Sequence, residues 1–240
     1  MRNKTKTKTK KVKRKKLRLG RVFVFVCLII LIVFCVKNID KLKARNIVVS
    51  GNKYVKTSEI INLGGLEAST SYINPKTKNI CSSIKQNKLI KTCKFKRTKD
   101  LNLILEVEED TPLFYYSHED KLMLKSKKLV NIKNTFGVPN LINYVPKDVL
   151  DEFTVKFGEL KTTLVKNISE IEYTPSKNKK DEVIDDKRFM LTMNDGNTIY
   201  INNKNLKILN KYDKIYASIN HAQGIFNFDC DYNNYYYEPY

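Results

Sequence analysis

The sequence predicts an α+β protein whose folded part hangs from a single N-terminal membrane helix. Three observations predict it: a cationic run leading straight into an unbroken apolar one, short alternating strand patterns beyond it, and helical periods between those strands. The formal charge of +20 is concentrated, because residues 1–21 hold 12 Lys or Arg and no acid, while the remainder has 33 basic and 25 acidic residues. The rest of the chain therefore carries +8 and reads as a mildly basic globular protein.

The apolar run is residues 22–36, fifteen residues without interruption, extended by Leu17, Leu19 and Gly20 before it and Ile39 after it. A bilayer-crossing helix needs about 20 such residues. Hydrocarbon offers no partner to backbone N–H and C=O groups, so the segment must be helical. A cleaved signal peptide would also begin with cations, but Lys37-Asn38-Ile39-Asp40-Lys41 contains no small-x-small cleavage site. The segment is expected to stay as an anchor over 22–39. The positive-inside rule then places 1–21 in the cytoplasm and the rest outside.

Of five cysteines, Cys27 and Cys35 fall within the span and Cys81, Cys93 and Cys230 beyond it. Three outer cysteines fit no metal spacing, so buried thiols are the expectation, with a single Cys81–Cys93 bond left open.

Residues 47–50 form a β-rich run stopped by Gly51-Asn52. Thr57 or Ser58 can cap a helix bearing Ile60, Ile61 and Leu63, which Gly64-Gly65 ends. Asn79 can cap a second helix with Ile80 and Ile84 on one face. Leu89-Ile90 then enters a strand in which Cys93 and Phe95 alternate with Lys94 and Lys96. After the turn 98–100, Leu101, Leu103, Leu105 and Val107 alternate with Asn102, Ile104, Glu106 and Glu108, the period of a half-buried strand. The order is β-α-α-β-β.

This order, with its local motifs, resembles the FtsQ-type POTRA domain of the FtsQ/DivIB bacterial cell-division family. Ile47-Val48-Val49-Ser50-Gly51-Asn52 is similar to that family's first strand and Gly-Asn turn, and residues 87–97 (NKLIKTCKFKR) to its second-strand entry. Residues 107–112 (VEEDTP) resemble a strand end that normally reads V-x-E-R-x-P. The chain departs there, with Asp110 in place of the Arg, and lacks a Pro in the preceding turn.

Residues 113–146 give weak signals. Beyond them, Leu150, Phe153, Phe157, Leu160 and Leu164 recur at helical spacing over 147–166, and 168–173 reads as a strand. A charged loop over 175–187 leads to strands 189–193 and 198–201 around Asn194-Asp195-Gly196-Asn197, where Asp-Gly supplies the positive φ of a tight turn. Asn205 can cap a helix with Leu206, Leu209, Tyr212, Ile215 and Ile219 on one stripe, and Gly224 precedes a last strand, 225–228. The stretch 168–229, including MNDGNTIYI, looks like the β domain of the DivIB branch, and NNYYYEPY resembles the close that follows it. The expected parts are a basic tail (1–21), the anchor (22–39), a POTRA domain (44–113), a mixed α/β domain with an antiparallel sheet (114–232) and a short tail (233–240).

Catalytic equipment is not legible. His118 and His221 are far apart and sit in no triad or metal signature, and no G-x-S-x-G, phosphate loop or H-E-x-x-H occurs. Asp229 and Asp231 flank Cys230, yet carboxylates at a strand end are ordinarily turn formers. Glu106, Glu108 and Glu109 read as the outer face and solvated end of a strand. No enzyme activity, cofactor or metal is expected. The tail KTKTKTKKVKRKK could neutralise nucleic-acid phosphates. Its place beside a span instead suits topology and anionic lipid headgroups, and no aromatic residue is interleaved to stack on bases, so no nucleic-acid partner is expected.

The resemblance implies a non-enzymatic scaffold at the division septum. It also implies its partners: FtsL-type and DivIC/FtsB-type bitopic coiled-coil proteins and, through them, the septal transpeptidase. The rival is a POTRA-bearing protein that binds polypeptides for transport or envelope assembly. A docking edge is expected at Ile225, Phe226, Asn227, Phe228 and Tyr232, with Tyr235, Tyr236 and Tyr237 beside it. Unpaired strand-edge groups and amphipathic tyrosines are what a partner's extended segment uses. For Phe226 and Phe228 a core role is equally open.

Overall fold

The computed structural model describes residues 19–38, 42–67, 69–73, 75–132, 134–230 and 235–240. The basic tail over 1–18 lies outside them. Helix α1 (Leu19–Asn38) has 20 residues and, at 1.5 Å per residue, is about 30 Å long, the thickness of a bilayer's hydrocarbon. Large apolar side chains from Val22 to Val36 are 41–69% exposed, whereas a soluble core helix of this composition would be buried. It is the one helix among the described residues long and apolar enough to cross a membrane. α1 is thus a candidate membrane span.

The first folded unit comprises β1 (Asn46–Ser50), α2 (Thr57–Leu63), α3 (Thr77–Ile84), β2 (Ile90–Arg97) and β3 (Asn102–Glu109). Its sheet runs β1-β3-β2, with β3 parallel to β1 and antiparallel to β2. The strand predicted from alternation is thus the central one. Leu105 and Val107 point into the core with Val55, Ile60, Ile84 and Leu89 around them, and Leu103 on the same face is fully buried. Leu101 is not part of it. At φ 62° it closes the turn, donating its N–H to Thr98 O at 3.2 Å. Gly51, at φ 89°, lies so close to β3 that a Cβ would sit 2.1 Å from the Val107 carbonyl oxygen, so no other residue fits.

Two local expectations are corrected. Helix α3 begins at Thr77 behind left-handed Lys76, a turn earlier than Asn79 suggested. Cys81 and Cys93 are a disulfide and not two buried thiols, because α3 packs on β2 with their Cα atoms 5.5 Å apart. Cross-linking positions 12 apart stabilises the unit by about 3 kcal/mol through the unfolded chain.

Glu109 also differs from its reading as a solvated strand end. Its carboxylate accepts the backbone N–H groups of Lys53, Tyr54 and Val55 at 2.8, 2.6 and 2.9 Å. The loop before α2 is thereby tied to the end of β3. Asp110, 2% exposed, pairs with Lys91 at 3.2 Å and accepts the Thr111 N–H at 2.9 Å. Here a buried carboxylate with a cationic partner stands where the family pattern has Arg.

The second unit holds β4 (Pro112–Tyr116), β5 (Lys121–Leu124), β6 (Leu129–Val130), β7 (Asn140–Leu141), α4 (Lys147–Phe157), α5 (Thr162–Lys166) and β8 (Ile168–Tyr173). It continues through β9 (Ser176–Lys177), β10 (Val183–Asp185), β11 (Arg188–Met193), β12 (Thr198–Asn202), a 3-10 turn (Leu206–Lys211), α6 (Tyr212–Ser218), β13 (Gly224–Asn227) and β14 (Tyr236–Pro239). Nine strands form one sheet in the order β14-β13-β12-β11-β8-β7-β4-β5-β6. The hairpins are antiparallel as expected. Three pairings, β4 with β7, β7 with β8 and β12 with β13, are parallel, because a long crossover separates the strands of each. The predicted helix over 147–166 breaks at Gly158 into α4 and α5, and the stripe from Leu206 into a 3-10 turn and α6. Phe153 stacks on Phe189 at 4.2 Å, with Phe114 and Phe157 against it, so α4 seals one face of the sheet.

No linker separates the units. β3 passes through Glu109-Asp110-Thr111 directly into β4, and the expected boundary at 113/114 falls inside β4. Leu122, Leu124 and Val130 share the first unit's core, with Ile132, Phe136 and Val138 packed against it. The expected tail over 233–240 is likewise structured where it is described, since β14 pairs with β13.

Two outcomes are expected. Leu103→Asp should destabilise the fold by roughly 4 kcal/mol or more by burying an unpaired charge. Asn102→Asp keeps the oxygen that accepts from Asn46 Nδ2 and should melt near the unmutated chain. Equal melting temperatures would refute the β3 register. The amines of Lys156 and Lys187 donate to the Glu152 carboxylate at 2.8 and 2.9 Å and hold its pKa down at about 2. A carboxylate with a depressed pKa stabilises the fold above its ordinary value, near 4.3, and loses that contribution as pH falls towards 2. Denaturation titrations should therefore show a loss between about pH 5 and 2 that is smaller in Glu152→Gln.

Candidate partner-docking edge

The docking edge expected from sequence lies one strand further out than the residues that suggested it. β13 is an inner strand, paired in parallel with β12 on one side and antiparallel with β14 on the other. Phe226 and Phe228 are fully buried and Asn227 nearly so, because β13 is flanked by β12 and β14 and its end packs into the core. Ile225 is half-buried. Of the residues named for the edge, Tyr235, Tyr236 and Tyr237 are the ones at it, and Tyr232 lies outside the described residues. β14 is the terminal strand, with no strand on its outer side among the described residues.

The tyrosines divide by face. Tyr237 turns inward, its ring 5.0 Å from Phe226 and its hydroxyl donating to Gln223 O at 2.9 Å. Tyr235 and Tyr236 stay 48% and 51% exposed, Tyr235 leaning its ring against Phe228 at 5.7 Å. Gly224 permits the close approach of β14, since a Cβ there would meet Glu238 O at 2.2 Å. Pro239 has no N–H to offer and interrupts the outer edge beyond Glu238, as prolines of edge strands do. That proline within a Tyr-rich run is the sequence signal for an edge strand here, where a tail is expected from sequence.

A buried polar lock sets the position of this edge. Tyr212, on α6, donates its hydroxyl to Asp195 Oδ2 at 2.7 Å, while Asn197 Nδ2 donates to Asp195 Oδ1 at 2.9 Å and to the Tyr212 oxygen at 2.7 Å. Asn197 Oδ1 accepts the Gly224 N–H at 2.9 Å, and Gln223 Nε2 reaches Asp195 O at 2.6 Å. Burial first, and then the Asp195 carboxylate, push the Tyr212 phenol far above its ordinary range, so it remains a donor. The hairpin β11-β12, α6 and the start of β13 are joined by this one network. At the other end of β13, Asn205 Nδ2 donates to Phe228 O and Cys230 O at 2.9 and 2.7 Å.

Residues weighed for chemistry have other partners. Asp229 forms an ion pair with Arg188 at 2.6 Å, and the Arg188 guanidinium lies 4.0 Å over the Tyr200 ring. Asp231 lies outside the described residues. His118 rests between the rings of Tyr116 and Tyr144, and His221 against Tyr216 at 4.8 Å. Among the described residues no group of three or more His, Cys, Asp or Glu is placed to hold a metal ion.

Comparison with known proteins bears on both units. A family model described as "POTRA domain, FtsQ-type" matches residues 42–114. The cell division protein DivIB of Geobacillus kaustophilus is 25% identical over 154 residues, covering 62% of this chain and 57% of that protein. DivIB of Bacillus cereus is 24% identical, covering 63% of this chain and 59% of its own, and DivIB of Pediococcus pentosaceus 26% identical, covering 71% and 47%. The chain thus spans about half the length of these curated relatives. Among solved structures, the major extracytoplasmic domain of the trans isomer of DivIB from Geobacillus stearothermophilus is similar over 47% of this chain and 96% of its own, with a TM-score of 0.38 and 22% identity. The first unit therefore matches an FtsQ-type POTRA domain, and the chain is similar to DivIB cell-division proteins over well more than half of its length.

Proposed function

We propose that this protein acts in bacterial cell division as a non-enzymatic scaffold, anchored by α1, whose extracytoplasmic units hold other division proteins together at the septum. The observation that carries the docking part is the β14 edge. It is an open strand held in register by the Tyr212–Asp195–Asn197 lock, and it presents Tyr235 and Tyr236 beside unpaired backbone groups. An extended segment of an FtsL-type or DivIC/FtsB-type coiled-coil protein can complete such an edge by main-chain hydrogen bonding, with the tyrosines supplying apolar area and polar tips. Through those proteins the septal transpeptidase becomes an indirect partner. The names of these partners come from the family resemblance.

Two features support the orientation, with residues 1–21 in the cytoplasm. Twelve cations lie before α1, where the positive-inside rule retains them. The Cys81–Cys93 disulfide suits an oxidising, extracytoplasmic setting better than a reducing cytosol.

A fluorescent protein fused to the N-terminus should form a midcell band in dividing cells, and uniform membrane fluorescence would count against the division role. Replacing Tyr235 and Tyr236 together by Ser in the full chain should weaken binding to the coiled-coil partners at least tenfold, about 1.4 kcal/mol, with the melting temperature unchanged. Tyr237→Ser should instead lower the melting temperature, since its ring packs on Phe226. Undiminished binding by a folded Tyr235/Tyr236 variant would move the interface away from β14.

A further inference from the structure

A second surface lies at the end of the first unit from which α1 departs. α1 ends at Asn38, and by Leu42 the chain is already part of the fold. The Leu42 carbonyl accepts the Tyr72 N–H at 2.8 Å, Ala44 N–H donates to Thr70 O at 2.9 Å, and Arg45 N–H donates to Leu101 O at 2.9 Å. Four residue steps from Asn38 to Leu42 span at most about 14 Å. The headgroup layer on each side of a bilayer is itself roughly 5–7 Å thick. Any orientation of the unit therefore keeps this end within about 14 Å of the hydrocarbon boundary, at or just beyond the lipid headgroups.

Three segments meet there, 42–45, 69–73 and 97–101, with the start of α3 following the second. Tyr72 ties two of them, its hydroxyl donating to Thr98 O at 2.6 Å, and Arg97 donates to Tyr72 O and Ile73 O at 3.0 and 3.1 Å. Lys43, Arg45, Lys76, Lys78, Arg97 and Lys99 are all exposed, and Asp100 is the one acid in residues 42–45, 69–78 and 97–101. Among the described residues no ion pair joins any of the six cations to an acid; the neighbouring Lys96, by contrast, pairs with Glu106 at 2.6 Å. Leu42 and Ile73, adjacent through the Tyr72–Leu42 hydrogen bond, are 40% and 37% exposed.

We infer that this face docks on the headgroups of anionic phospholipids in the leaflet that α1 exits, an inference that rests on α1 spanning the membrane and on this unit lying outside it. The cations contact headgroup phosphates, which they attract within a Debye length of about 8 Å at physiological salt. Leu42 and Ile73 enter the interface beside them, in the apolar-plus-basic mixture of membrane-surface segments. A wall polyanion would use the cations and leave the two apolar side chains without a role. Docking holds the first unit against the bilayer and so fixes the direction in which the β14 edge is presented.

The test uses the full chain reconstituted in vesicles, with Cys27, Cys35 and Cys230 changed to Ser and one fluorophore placed through Ile73→Cys. A control fluorophore is placed through Thr135→Cys, beside Phe136, whose ring meets Tyr54 at the opposite end of β3. Vesicles of phosphatidylcholine with or without about one-third phosphatidylglycerol carry a headgroup-attached quencher. Quenching at position 73 should exceed that at 135 at least threefold in the anionic vesicles. It should fall to the phosphatidylcholine level in 0.5 M salt, where the Debye length shrinks to about 4 Å, or in Lys43→Glu/Lys76→Glu/Lys78→Glu/Lys99→Glu chains of unchanged melting temperature. Quenching at 73 that ignores lipid charge, salt and charge reversal would reflect the tether alone and overturn the docking. Loss of the chain from the vesicles in alkaline carbonate would overturn the membrane span itself, and the docking with it.

Discussion

The two folded units depend on a pair of acidic residues at the junction of β3 and β4. Glu109 gathers three consecutive backbone N–H groups of the loop before α2, and Asp110 is buried against Lys91 in the next position. Three amides on one carboxylate are charge-assisted hydrogen bonds, stronger than neutral ones, and they stand where a strand end would otherwise leave donors unpaired. Removing the Asp110 carboxylate would leave Lys91 without its near-buried partner, and removing Lys91 would leave a buried charge uncompensated, the costlier loss. The chain therefore leaves the first unit at one fixed angle.

That angle decides how the rest packs. Because β3 runs into β4 through only Asp110 and Thr111, the β5-β6 meander is laid against the first unit's core, where Leu122, Leu124 and Val130 complete a cluster begun by Val55 and Leu89. The nine-stranded sheet then extends away from the junction, strand by strand, to β14 at its far edge. The two units, from β1 to β14, are joined by continuous hydrogen-bonded strands and a shared core instead of a hinge.

What the chain's order determined by itself is local. The membrane helix follows from an apolar run long enough to cross hydrocarbon, β3 from strict alternation over Leu103, Leu105 and Val107, and the β11-β12 hairpin from Asp195-Gly196 with Gly196 at φ 88°. Each signal depends on residues within one element or turn, so periodicity and glycine chemistry suffice to read it. Strand order, the disulfide and the edge belong to the tertiary structure. Cys81 meets Cys93 through the packing of α3 on β2, Glu109 finds its amides more than 50 positions away, and Phe226 is core because β14 covers its outer side. Those contacts join distant residues, whose meeting is set by how sheets and helices pack and not by the pattern within any one of them.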